Sequence, residues 1–222
     1  DVYKRQVLAL QSCTDNLVYT GTDIEVVLTG NTYQAAFTES SPVSTFNSGN
    51  QILLNASGSL QIDNRILTYM DNQWKAENEF SWSDLTGKTN VTAVYPVYPD
   101  LDYVQENLYK NNSLEDILYV KDEFPAGNSI HLQFKHLFSL LTLHLEGNLQ
   151  TYFQKIEVTC PAVSSIIPKS AEIVLADNGT HTTTIAQVSP SGNYSFIVPP
   201  VGNMVIAINM VTNGKKYTTQ LE

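Results

Sequence analysis

Residues 132–145 constrain the fold more than any other part of the chain. Their apolar side chains alternate as in a strand, but the alternation changes phase midway. Leu132, Phe134, Phe138 and Leu140 occupy even positions, with His136 among them, whereas Leu137, Leu141, Leu143 and Leu145 occupy odd ones. Strand side chains have a period of two, so the swap needs a β-bulge, or a strand that leaves one core and enters another. It fits a junction between two packed β units.

The rest of the chain is written in the same style. Strand-length runs are separated by turn signals at short intervals, as in sandwiches and barrels. Residues 24–28 make one strand, closed by Gly30-Asn31, and residues 51–54 make another. Residues 60–62 and 66–70 flank Asp63-Asn64, which reads as a hairpin turn, and Asp71-Asn72 turns the chain into Trp74-Lys-Ala. Residues 80–82 and 91–95 follow, until Pro96 and Pro99 end regular pairing, because proline cannot donate to a ladder. Residues 99–116 are polar and acidic, with Leu101, Val104 and Leu108 at roughly helical spacing, so one or two turns of helix are expected there.

β character resumes at 117–120. The turn Phe124-Pro-Ala-Gly127 then sets a boundary between an N-terminal domain, 20–128, and a C-terminal domain, 129–222. In the second, residues 153–159 alternate out of phase, which implies another bulge. Residues 171–175 form a strand closed by Asp177-Asn178-Gly179, and residues 194–198 form one ended by Pro199-Pro200. The last hairpin, 204–212 with 215–221, turns at Asn213-Gly214, the pair preferred in type I′ turns because both central residues need positive φ. A sandwich of about seven strands takes on the order of 100 residues. Residues 129–222 must also supply long loops, so this domain is expected to be incomplete, with an unpaired and adhesive edge.

Composition narrows the function. With 222 residues and 42% hydrophobic content the chain sustains real cores and is not disordered. Charged residues are only 15%, while Thr, Ser, Asn and Tyr abound, a balance that suits an extracellular β protein better than a cytosolic helical enzyme. A net charge of −10, with 12 basic residues thinly spread, argues against nucleic acid and against electrostatic docking on anionic lipid. The acidity reads as solubility. Two cysteines, Cys13 and Cys160, exclude a disulfide framework and a Cys-rich zinc site, and leave a single bridge open.

Catalytic motifs are missing from the sequence. It holds no G-x-S-x-G elbow, no H-E-x-x-H and no G-x-x-x-x-G-K, and no Asp, His and Ser spacing marks a triad. Of His131, His136, His144 and His181, the pair His136 and His144 share a strand face but sit about 26 Å apart, too far for one ion. His136 reads as a hydrogen-bonded histidine beside the core. Asp100-x-Asp102 lacks the rest of a calcium loop and reads as solvated. Five Asn-x-Ser/Thr triplets, at Asn55, Asn90, Asn111, Asn178 and Asn193, read as products of an Asn- and Thr-rich composition. No catalytic residue, metal or cofactor is expected. Tyr95, Tyr98, Tyr103 and Tyr109 cluster around the long loop and make a candidate recognition surface.

The chain opens on Asp1, and Val7-Leu-Ala-Leu10 looks like the tail of a signal peptide. Leu10-Gln-Ser-Cys13 looks like a bacterial lipobox, in which Cys13 is acylated and Thr14-Asp-Asn16 begins a tether. A chance tetrapeptide or a first strand is the alternative. No apolar run reaches about 18 residues, so no transmembrane helix is expected.

Residues 132–145 also match the L-x-F-x-H-x-x-S-x-L-x-L-x-L signature of the fimbrillin-like family, which builds surface fimbriae in Gram-negative anaerobes. Trp74 with Phe80-Ser-Trp82 resembles the family's central tryptophan motifs. Val91-Thr-Ala-Val-Tyr-Pro96, Asp116-Ile-Leu-Tyr119, and Tyr194-Ser-Phe-Ile-Val-Pro-Pro200 followed by Gly214-Lys-Lys-Tyr217 resemble its later segments in order and spacing. The resemblance covers most of the chain after residue 20. It implies an all-β protein of two tandem transthyretin-like sandwiches. Residues 1–19 would then be a signal remnant, lipobox and tether. It further implies export to the outer membrane surface, a lipid anchor at Cys13, and assembly with other fimbrial subunits by strand exchange. Arg5 and Arg65 are the only arginines, and Arg5 precedes the lipobox, so arginine-specific maturation does not fit well. The expected function is a structural one, as fimbrial subunit, accessory component or anchor. A surface lipoprotein that binds glycans or host proteins through residues 95–116 is the second reading.

Overall fold

The computed structural model describes residues 46–71, 73–76, 87–125, 130–145, 153–186, 189 and 192–200, together with the backbone of five further strands within 8–29 and 206–221. In chain order the strands are β1 (Leu8–Leu10), β2 (Asn16–Thr20), β3 (Ile24–Thr29), β4 (Gln51–Gly58), β5 (Ile62–Met70), β6 (Gln73–Ala76) and β7 (Thr89–Tyr95). A 3-10 turn at Pro99–Leu101 and α1 (Gln105–Leu108) precede β8 (Tyr109–Lys110), β9 (Ser113–Leu114), β10 (Leu118–Phe124), β11 (Ile130–His136) and β12 (Ser139–His144). β13 (Phe153–Ile167), β14 (Glu172–Ile185), β15 (Asn193–Val198), β16 (Ile206–Thr212) and β17 (Lys215–Leu221) complete a chain that is nearly all β.

Eight strands make one curled sheet in the order β2-β3-β11-β10-β7-β4-β5-β6, antiparallel throughout except where β11 runs alongside β3. Alternation explains its core. Ile52 and Leu54 of β4, Val91 and Ala93 of β7, Leu118 and Val120 of β10, and Leu132 and Phe134 of β11 turn to one face and form a first apolar cluster. Phe46 packs edge-on against Trp74 in it, with ring centroids 5.0 Å apart. The second half is a sandwich. The sheet β1-β12-β15 packs on β14-β13-β16-β17, and Leu141, Leu143, Ile156, Val158, Tyr194 and Phe196 are buried between them.

The phase change at 132–145 marks a change of core. β11 delivers Leu132 and Phe134 to the first cluster. Leu137 and Phe138 leave the ladder and enter a second cluster with Leu53, Val94, Tyr103, Val163 and Ile166. β12 then turns Leu141 and Leu143 into the third. The exit is held in place: Leu137 N–H donates to the Ile117 carbonyl at 2.7 Å, and His136 Nδ1 lies 2.9 Å from the buried Asp116 carboxylate. Of the two alternatives, a strand passing from core to core is the one that occurs. β11 therefore belongs to the first sheet, and the chain changes sheet at Leu137-Phe138.

Two turn readings are corrected. Asp63-Asn64 is not a hairpin turn but a bulge inside β5, where the register to β4 slips between Leu54 and Ala56. Asn64 takes the positive φ of 47° that the dipeptide favours, but the strand continues. Likewise Asp177-Asn178-Gly179 does not close a strand. β14 continues through it, with Asn178 at φ 52° opposite a register slip in β13 between Pro161 and Val163. The expected slip in the following ladder does occur, between Phe153 and Lys155 where β13 pairs with β16. Helical turns are present in the loop where spacing placed them. The Phe80–Trp82 motif and the Asn213-Gly214 turn lie outside the described residues.

Candidate functional site

Two regions carry the residues singled out from sequence. The first is the segment 96–116. Its tyrosines do not form an exposed platform. Tyr98 is 5% exposed and Tyr103 2%, and both lie in the second cluster; Tyr95 and Tyr109 are half-buried. Burial raises the Tyr98 phenol well above its ordinary range, helped by its hydrogen bond to Glu115, and burial alone raises that of Tyr103. Tyr98, Tyr103 and Tyr109 are covered by the second half of the chain, and Tyr95 packs against Phe46 in the first cluster. Tyr109 Oη accepts the Val163 N–H at 2.9 Å, and its ring lies 4.1 Å from that of His181. Ile166 N–H donates to the Tyr103 carbonyl at 2.9 Å, and Val104 forms a β-bridge with Ser165. Asn112 Nδ2 donates to the Thr182 carbonyl at 2.9 Å. The segment is a staple from the first half onto β13 and β14.

His136 is the hydrogen-bonded histidine beside the core that its position implied, and His131 is exposed. Among the described residues no group of three or more His, Cys, Asp or Glu is placed to hold a metal ion. Cys160 is a buried free thiol, pushed up to about 11 by burial. Cys13 lies outside the described residues. No helix among those residues is long and apolar enough to cross a membrane.

The second region is the border of the sandwich in the second half. β12 is paired along all six residues by β15, from Ser139↔Val198 to His144↔Asn193. On its other side, among the described residues, β1 pairs with three, Leu8↔Leu143, Ala9↔Thr142 and Leu10↔Leu141. Leu8–Leu10 of the run that looked like a signal-peptide tail is thus a strand beside β12, whose Leu141 and Leu143 are buried. Sequence named this run but not its partner, because the pairing spans most of the chain and leaves no local trace.

A curled sheet and a sandwich, with a three-residue strand on that sandwich's border, describe an all-β protein. The chain belongs to the fimbrillin-like family, whose model matches residues 20–222. Its role is therefore of the fimbrial, cell-surface kind. Among solved structures, a crystal structure of a Bacteroides uniformis protein described as a cell adhesion candidate matches with a TM-score of 0.55 at 11% identity, covering 92% of this chain and 84% of that one. At that identity the likeness bears on fold. No curated protein matches.

Proposed function

We propose that this chain is a fimbrial subunit or accessory component that joins its neighbours by β-strand addition at the β12 border. The observation that carries the reading is the three-residue β1 on a six-residue strand whose inner side chains, Leu141 and Leu143, are buried. Main-chain hydrogen bonds hold such a strand, and three pairs hold weakly. A longer strand from a neighbouring subunit would match more of β12 and displace it. We further propose acylation of Cys13 in the outer membrane. Processing at a lipobox there would remove residues 1–12, β1 included, and leave β12 open without any cleavage at arginine. Two domains, divided at Leu137-Phe138, belong to this reading.

The test compares the full chain with a variant lacking residues 1–12 by size-exclusion chromatography over a concentration series. The shortened chain should form concentration-dependent oligomers, and a synthetic peptide of residues 6–12 should suppress them. A shortened chain that stays monomeric at every concentration would refute strand addition at this border. Metabolic labelling with a fatty-acid analogue tests the anchor: label should enter the wild type and be lost in Cys13→Ala.

A further inference from the structure

We propose that a polar groove on the first sheet binds a neutral saccharide. The groove, about 510 Å³, lies between the outer face of β4, β7 and β10 and the turn joining β13 to β14, and none of its lining residues belongs to β1, β12 or β15. That volume suits a small ligand, since such sites span roughly 300–1,000 Å³. Two of the Asn-x-Ser/Thr triplets meet here, brought together only by strand register: Asn55 pairs with Thr92 and Ser57 with Asn90.

Asn55 carries the argument. It sits at the β4–β5 bulge, where its Oδ1 accepts the Asn64 N–H at 2.8 Å. That bond fixes which end of the amide is which. Its Nδ2 is buried and has no hydrogen-bond partner among the described residues, in a residue only 7% exposed. Buried donors are paired in native proteins, so this one calls for an acceptor beyond the described residues, and the groove it lines is open to one from solution.

The charges of the groove decide what kind. Lys169 is paired with Asp63 at 2.6 Å, and Glu123 with Lys88 at 2.6 Å. Asp122 Oδ1 accepts the Glu123 N–H at 2.8 Å, and Lys121 Nζ reaches the Ser170 carbonyl at 3.4 Å. An ion entering would meet a field already neutralised. What remains for recognition is a row of amides and hydroxyls: Asn55, Ser57, Asn90 and Thr92. Amides offer both donors and acceptors, and a hydroxyl does the same, so the complementary ligand is polyhydroxylated and uncharged.

The test is titration of the 15N-labelled chain with lactose, maltose, cellobiose and chitobiose, reading the Asn55 and Asn90 side-chain amides and the backbone amides of β4 and β7. At least one sugar should move these signals saturably. Asn90→Ala, an exposed rim position, should weaken that sugar about three- to tenfold, the worth of one hydrogen bond, while leaving the melting temperature unchanged. If none of the four sugars moves the Asn55 amide, or if the shifts persist undiminished in Asn90→Ala, the donor belongs to bound water and the proposal falls. The readout is independent of oligomeric state, so its failure would not touch strand addition at β12.

Discussion

At Tyr109 a single hydroxyl joins two distant stretches of chain. Its Oη accepts the Val163 N–H at the point where β13 slips register against β14, so the ladder cannot supply that partner itself. Tyr109→Phe keeps the ring and its stacking on His181 but strands a backbone donor, at a cost of about 1–3 kcal/mol. Urea unfolding should show a lower midpoint with an unchanged m-value. Cys160 makes a prediction in pH. Its thiol, 6% exposed, ionises near 11 when folded, against an ordinary value of 9.0. Between those values the unfolded chain has released a proton that the folded chain keeps, so ∂ΔG/∂pH is negative and stability falls as pH rises. Thermal melts from pH 8 to 11 should show this decline, and Cys160→Ala should flatten it although its absolute stability is lower. Tyr98 and Tyr103, raised in the same direction by burial, carry the decline further into alkali.

The elements of the 96–116 staple could not stand alone. α1 has four residues, far below the length at which an isolated helix is stable. It holds because Leu108, fully buried, packs into the second cluster with Val163 and Ile166. Leu108→Ala should cost about 2–5 kcal/mol. Hydrogen exchange should then quicken at the Val163 and Ile166 amides, which bond to this segment, more than at amides of β7. The helical turns themselves were legible, because the spacing of Leu101, Val104 and Leu108 is a local signal. The burial of Tyr98 and Tyr103 was not, because what covers them is supplied by the far half of the chain. Asp63-Asn64 shows another limit. A turn and a bulge both want a residue at positive φ, so the dipeptide alone cannot say which it makes. Asn55, a strand away, completes the bulge by accepting the Asn64 N–H. The groove escaped notice for the same reason, since register alone brings the Asn55 and Asn90 triplets together.

At the scale of the whole molecule the question is whether two halves behave as one body. The chain passes between them at Leu137-Phe138, and the second cluster draws Leu53, Val94 and Tyr98 from one side and Val163, Ile166 and Ile197 from the other. An apolar junction of this kind couples the stabilities of what it joins. Calorimetry of the full chain should therefore give one transition, with equal calorimetric and van't Hoff enthalpies. Ile166 is 4% exposed, so Ile166→Asp places an unpaired carboxylate in the junction and should split the transition in two. Core truncations then assign the parts. Phe134→Ala lies in the first cluster and Phe196→Ala in the third, and each should cost about 3–5 kcal/mol. With the junction intact, either lowers the single transition. In the Ile166→Asp background each should lower chiefly its own, and their effects should add, because the apolar contact that couples the two cores is broken. If both truncations still shift both transitions in that background, the halves share more than this cluster, and a division at Leu137-Phe138 is wrong.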